Sequence, residues 1–233
     1  MHHTAHKRIL AVDILKGIAM LLVIMQHAYL SVNFKAIPRL IDFLLWNLTG
    51  LAAVAFVSIS GVMFSYFLYM QSDWRKAYRN YVGRAVFLLF IAHVLINLAS
   101  YFFNTAGIER TSSAAALVNM VVLNYPITDM IAICMLVSPL FIIYLGPATR
   151  VVIIAAMLVS AVLIRAYVIP NNTLLMILQE LTFGGLGIPK VFWFPLMPWL
   201  AIFLSGSFAG YALMCHKKGT LEVSAVVRML NRS

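Results

Sequence analysis

The sequence predicts an all-α membrane protein, a polytopic bundle of six or seven transmembrane helices with both termini in the cytoplasm. Three observations lead to this fold class. Apolar residues make up 63% of the 233 residues and charged residues 10%, the mean hydropathy is +0.95, and several apolar stretches are as long as a bilayer-spanning helix. A water-soluble globule of this size cannot bury that much apolar surface. The composition also excludes a disordered, collagen-like or disulfide-stapled chain.

Six apolar stretches are long enough to cross the hydrocarbon core as helices. They cover residues 9–32, 48–70, 82–103, 127–145, 151–169 and 191–214. Two shorter pieces, 114–123 and 174–186, are expected to lie flat, re-entrant or packed within the bundle, and the second could raise the count to seven. The first stretch is too long and too polar-flanked for a cleaved signal peptide. Residues 1–233 are therefore expected to form one membrane domain, with 219–233 as a cytoplasmic tail.

The charges predict the orientation of the bundle. Seventeen Lys and Arg against seven Asp and Glu give a net charge of +10. The cations lie between the apolar stretches, where the positive-inside rule places them in the cytoplasm, and this interpretation makes nucleic-acid binding improbable. With six spans, one side receives Lys7, Arg8, Arg75, Lys76, Arg79, Arg84, Arg150, Lys217, Lys218, Arg228 and Arg232, and the other Lys35, Arg39, Arg110 and Lys190. The expected location is a cell membrane of bacterial or archaeal type.

Ionisable residues within a span are costly unless they face a partner or a cavity, so they are the candidate functional residues. On the first stretch, Lys16 and His27 lie about 20° apart around the helix, and Asp13 and His27 about 40° apart. Asp13 and Lys16 form either an ion pair at the helix start or a functional pair. Imidazole titrates near neutral pH, so His27 is the leading candidate for a general base toward a hydroxyl or amine, the alternative being a core histidine bonded between helices.

A second polar face lies on the third stretch. His93, Asn97 and Ser100 follow the i, i+4, i+7 spacing of one helix face. His93 is the second catalytic candidate, whereas Asn97 and Ser100 are interpreted as interhelical hydrogen-bonding groups. Asp129, at the start of the fourth stretch, could orient an imidazole or stabilise a helix N-terminus, and the sequence favours the second role.

Residues 74–84 carry four cations interleaved with aromatic residues. We interpret them as a cytoplasmic loop whose arginines either sit at the membrane interface or bind the phosphates of a nucleotide-like donor. Arg75, Arg79 and Arg84 are the candidate donor-binding residues of this segment. The sequence contains no phosphate-loop motif, zinc-ligand spacing or serine-hydrolase elbow, and no metal is expected.

Glycines on two of the predicted spans have the spacing of close helix packing. Ser58, Gly61 and Ser65 follow one another at intervals of about one helical turn, and Gly206 and Gly210 are one turn apart. Small residues let helix backbones approach closely in membranes. The spacing therefore predicts a role in packing rather than in catalysis.

The segment 8–27, RILAVDILKGIAMLLVIMQH, resembles the beginning of transmembrane acyltransferases: an Arg, an Asp, a basic residue followed by Gly, an apolar run and a His. The resemblance is closest to the heparan-α-glucosaminide N-acetyltransferase catalytic-domain family, with a more distant one to the acyltransferase-3 family. FVSISG at 56–61 and FPLMPWL at 194–200 resemble further elements of that family.

This resemblance implies transfer of an acyl group, usually acetyl, from cytoplasmic acyl-CoA to a hydroxyl or amine of a glycan or similar acceptor. His27 stands where the family has its base, and Lys16, Arg79 and Arg84 would hold the donor phosphates. Lys16 stands where the family usually has an arginine. A lysine cannot donate two parallel hydrogen bonds to one phosphate or carboxylate, as an arginine can.

The residues themselves leave two other functions open. A small proton-coupled transporter could use His27, His93, Asp129 and Arg165 as a relay. A membrane assembly subunit would have no chemistry. The expected partners are membrane lipids, a glycan or small-molecule acceptor, and a second copy or partner subunit, with no nucleic acid.

Overall fold

The computed structural model describes residues 10–31, 39–71, 73–103, 126–168, 171–184, 194–217 and 219. Every regular element in those residues is helical, which confirms the all-α prediction. The elements are α1 (Leu10–Ser31), α2 (Arg39–Met70), α3 (Trp74–Val86), a π-helical segment π1 (Phe87–Ala92), α4 (His93–Phe103), α5 (Ile127–Tyr144), α6 (Pro147–Tyr167), α7 (Thr173–Thr182) and α8 (Leu196–Lys217).

Five helical stretches of the described residues are long and apolar enough to cross a membrane. They are α2, the continuous stretch Trp74–Ala99, α5, α6 and α8, and they coincide with five of the six predicted spans. The first predicted span is helical as α1 but is not among these five. The count of six or seven spans and the cytoplasmic placement of both termini therefore stay predictions.

The two shorter apolar pieces have different outcomes. α7 has ten residues, about 15 Å of helix, which is half of the distance needed to cross the hydrocarbon core. Asn172 caps its start by accepting from the N–H of Leu174. α7 alone does not supply a seventh span. The piece 114–123 and the tail 220–233 lie outside the described residues.

The chain divides into two compact units, Met1–Ser60 and Gly61–Ser233. In the first unit, α1 exposes large apolar side chains around much of its surface, including Ile14, Leu21 and Ile24. A helix that exposes apolar side chains over most of its surface is typical of membrane surroundings rather than of a protein surface in water.

In the second unit, glycines bring α2 and α8 into backbone contact. A Cβ at Gly61 would collide with the backbone carbonyl of Phe203, and one at Gly210 would collide with the side chain of Ser65. Residue numbers rise together along the two contacts, so α8 runs parallel to this part of α2. The predicted packing role of Gly61 and Gly210 is confirmed.

Aromatic packing joins α3 to the same pair of helices. The ring of Phe64 lies 4.5 Å from that of Tyr81 and 5.7 Å from that of Phe203, between centroids. Tyr78 of α3 also donates a hydrogen bond of 3.1 Å to the carbonyl of Leu136 on α5. Phe64 therefore lies at the meeting point of α2, α3 and α8.

The helix directions give the second unit two ends. The C-termini of α2 and α8 share one end because these helices are parallel, and α3 begins there, directly after α2. We call this the basic end, since it carries Arg75, Lys76, Arg79, Arg150 and Lys217. The distal end is the opposite one, where α4 ends and α5 begins.

Candidate active site

The backbone widens just before His93. In π1 the bonds skip one more residue than in an α-helix, and the N–H of His93 reaches the carbonyl of Leu88. Ala77, Tyr81 and Ala85 form the buried face of α3, and an uninterrupted α-helix would place His93 about 80° from Ala85. A π turn holds about one extra residue and shifts the following residues by about 100°, which brings His93 to within about 20° of Ala85. Such turns frequently occur at functional sites.

The shifted imidazole meets a carboxylate. His93 Nδ1 lies 2.5 Å from Oδ2 of Asp129, on α5. Asp129 is buried in the first turn of α5, where Pro126 holds the N-cap position without a side-chain cap. The sequence left two roles for Asp129, and the structure shows its carboxylate in contact with an imidazole.

The second ring nitrogen of His93 is held differently. The amide nitrogen of Asn97, one turn further along α4, lies 3.3 Å from Nε2. An amide N–H can only donate, so this contact favours the tautomer with the proton on Nδ1 and the lone pair on Nε2. A histidine in that state, with Nδ1–H bonded to a carboxylate, can accept a proton at Nε2.

Two polar atoms in the first turn of α5 are buried without a hydrogen-bond partner among the described residues. They are Oδ1 of Asp129 and the hydroxyl of Thr128. A buried unpaired polar atom costs about 1–3 kcal/mol, which a bound hydroxyl, amine or water would offset. The side chain of His93 is 16% exposed and that of Asp129 2%, so the imidazole is the member of the pair that a substrate can reach.

The other predicted catalytic residues lie in the first unit. α1 is one unbroken α-helix from Leu10 to Ser31, so the common face that the sequence predicts for Asp13, Lys16 and His27 holds. All three side chains are exposed. Their roles stay predictions from the sequence.

The predicted loop at 74–84 is wrong, because these residues form most of α3. Asp73 starts the helix by accepting from the backbone N–H groups of Arg75 and Lys76. The aromatic and small residues then bury one face while Arg75, Arg79 and Arg84 remain exposed. The helical period therefore separates a buried apolar face from an exposed basic one.

Two of these arginines contact aromatic rings. The guanidinium of Arg75 lies 5.6 Å from the ring centre of Trp74, and that of Arg84 lies 5.4 Å from the ring centre of Tyr81. Cation–π contacts at exposed positions contribute about 0.5–1 kcal/mol. The contacts hold the two guanidinium groups along the outside of α3.

In the sequence Arg150 stands among the charges that flank the predicted spans, whereas in the structure it is buried. Its Nη1 donates to the hydroxyls of Tyr69 and Ser207, at 3.1 Å each, and its guanidinium lies 5.0 Å from the ring centre of Phe208. One signal could have found it: Pro147 marks the first helical position, which puts Arg150 inside the helix rather than before it.

Within the part of the chain that the structure describes, no group of three or more His, Cys, Asp and Glu side chains is placed to hold a metal ion. Cys134 and Cys215 are both buried in the second unit.

A bundle of apolar helices with an imidazole–carboxylate pair between two of its membrane-capable helices is typical of a membrane protein with acid–base chemistry. The sequence model of the heparan-alpha-glucosaminide N-acetyltransferase catalytic family matches residues 8–231. The chain belongs to this family, which confirms the resemblance and places the protein among membrane acetyltransferases. Comparison with curated proteins and with solved structures gives no match.

Proposed function

We propose that the protein moves an acetyl group from acyl-CoA to a hydroxyl or amine of a glycan or similar small acceptor. Family membership supports the transfer of acetyl, and the His93–Asp129 pair supports the proton chemistry that such a transfer needs. This pair is the observation that carries the proposal. An imidazole held by a carboxylate is a common device for general base catalysis.

The reaction has a simple balance. The acceptor oxygen or nitrogen attacks the thioester carbonyl and gives its proton to Nε2 of His93, and Asp129 stabilises the imidazolium that forms. A new C–O or C–N bond replaces the C–S bond. The leaving thiolate takes the proton back, which yields coenzyme A and restores the neutral imidazole. Asn97 must release Nε2 when the acceptor enters.

His27 is the base that the family resemblance implies, so the proposal includes two histidines. His27 is supported by its position in the sequence motif, and His93 by its carboxylate partner. Asp13 and Lys16, on the same face of α1, are proposed to assist His27 and the donor respectively.

The exposed cations of α3 support the proposed side of donor entry. Arg75, Arg79 and Arg84 lie on the outside of a helix that starts at the basic end. By the positive-inside rule this end faces the cytoplasm, where acyl-CoA is found. The family resemblance supports a glycan or small molecule as the acceptor. The proposed location is the cell membrane, with a second copy or another subunit as a possible partner.

The test is transfer of labelled acetyl from acetyl-CoA to a panel of amino sugars and neutral sugars by protein reconstituted in liposomes. Wild type is expected to label an acceptor. Alanine in place of the histidine that acts as the base, His93 or His27, is expected to lower the rate by about 10²–10⁴-fold. His216→Ala is the matched control, since His216 is exposed at the end of α8. If wild type neither binds coenzyme A nor labels any acceptor, the proposal is wrong. A flux that depends on a pH gradient and ignores coenzyme A would favour the transporter instead.

A further inference from the structure

The basic end of the second unit contains a buried cation without a counter-charge among the described residues. Arg150 is only 3% exposed. The groups that contact it, the hydroxyls of Tyr69 and Ser207 and the ring of Phe208, are all neutral. Buried charges in proteins are normally paired, because an isolated ion loses several kcal/mol of solvation.

The local field makes the position of Arg150 still less favourable for a lone cation. The residue lies in the first turns of α6, whose N-cap is Gly146, and the positive end of a helix dipole repels a cation. Lys217, at the same end, lies 5.8 Å from the ring centre of Tyr66 and adds a further positive charge. Dipole and cations together favour an anion at this end.

The hydrogen bonds of Arg150 leave one edge of its guanidinium unused. Both hydroxyls accept from Nη1, which fixes the plane of the group. Nε is buried without a hydrogen-bond partner among the described residues, and both hydrogen bonds that the guanidinium donates come from Nη1 and not from Nη2. The Nε–Nη2 edge is a planar two-donor fork, which matches two oxygens of one phosphate or carboxylate.

We propose that Arg150 anchors a phosphate group at the basic end of the second unit, with Tyr69 and Ser207 as positioning residues that hold the fork open. The phosphate belongs to coenzyme A, an assignment that rests on the proposed function, or to an anionic lipid headgroup. A phosphate monoester, such as the 3′-phosphate of coenzyme A, fits better than a carboxylate because its second charge offsets the field of the helix dipole.

The test is binding of coenzyme A and of phosphatidylglycerol to the full chain in a maltoside detergent, with pantetheine and diacylglycerol as phosphate-free controls. We expect Arg150→Gln to weaken binding of at least one phosphate compound by about 10–100-fold, as expected for charge-assisted bonds, and to leave the phosphate-free controls unchanged. Arg165→Gln is the matched control, since Arg165 is exposed near the other end of α6. It is expected to bind like wild type.

A second variant protects the test against misfolding of Arg150→Gln. The double variant Tyr69→Phe with Ser207→Ala keeps the charge of Arg150 but removes the two hydroxyls that fix the plane of its guanidinium. It is expected to weaken phosphate binding several-fold and to leave pantetheine binding unchanged. If both sets of variants bind coenzyme A and phosphatidylglycerol like wild type, the inference is wrong. If phosphatidylglycerol alone binds through Arg150 and no acetyl is transferred, the anchor stands and the proposed function fails.

Discussion

Each end of the second unit contains a buried ionisable side chain, and the two side chains have different kinds of partner. At the distal end, the buried charge of Asp129 is paired with His93. At the basic end, the groups that contact Arg150 within the described part of the chain are two neutral hydroxyls and an aromatic ring. A titratable pair can remain neutral by sharing a proton, whereas an arginine is always charged and needs an anion from outside. The comparison supports the two proposals, proton transfer at the distal end and anion binding at the basic end.

The largest effect is expected for the imidazole at the distal end. His93→Ala should lower the rate of acetyl transfer by about 10²–10⁴-fold, because the proton acceptor is gone. Added imidazole should restore part of the rate if the loss is chemical. Equal rates for His93→Ala and wild type would show that His93 is not the base and that the distal end has no role in proton transfer.

The π turn offers a paired test of the same end. Insertion of one alanine within π1 should rotate His93 by about 100° away from Asp129 and lower the rate nearly as much as His93→Ala. Deletion of Phe90, whose side chain is exposed, should let π1 become α-helical with His93 still on the buried face. The deletion variant should therefore keep far more activity than the insertion variant, and the opposite order would contradict the role of π1.

The contact between α2 and α8 is a shared support for the basic end. Gly61→Ala places a methyl group against the Phe203 carbonyl, so we expect a loss of about 1–3 kcal/mol in stability, measured by thermal unfolding in detergent. Gly83→Ala is the matched control, because a Cβ there meets no other atom within 4 Å. It should be neutral or stabilise α3 by about 0.5–1 kcal/mol. A control that loses as much stability as Gly61→Ala would argue against close packing.

The smallest effect is expected at the start of α3. Asp73→Ala removes the side-chain cap from the N–H groups of Arg75 and Lys76, at a cost of about 0.5–2 kcal/mol in stability. Asp73→Ser should recover most of that loss, since serine also caps helices. Because Asp73 is exposed and contacts only backbone groups in those bonds, acetyl transfer by the folded variant should be unchanged.

The sequence was sufficient for the elements whose signal is local. Long apolar runs predicted the five membrane-capable helices, and the motif at 8–27 predicted the family. The start of α3 was missed because exposed arginines look like a loop when the cap at Asp73 and the buried face of Ala77, Tyr81 and Ala85 are not considered. π1 has no signature in composition, since any apolar segment can hold a wider turn.

The site was predictable only in parts, because its contacts join residues far apart in the chain. His93 and Asp129 each stand out as ionisable groups within a span, but nothing local joins them across 36 positions. The burial of Arg150 depends on α2 and α8, which supply Tyr69 and Ser207. The sequence therefore indicates which charged residues are candidates, whereas only the packing of the helices shows which groups contact them.

Asp129→Asn tests the central claim most directly, through kcat for acetyl transfer measured beside the dissociation constant of coenzyme A. The amide is nearly the same size but cannot stabilise an imidazolium, so the account predicts a fall in kcat of about 100-fold or more, with the dissociation constant and thermal stability near those of wild type. Asp42→Asn, at an exposed position of α2, is the control. An Asp129→Asn variant with the kcat of wild type would contradict the claim that this pair moves the proton.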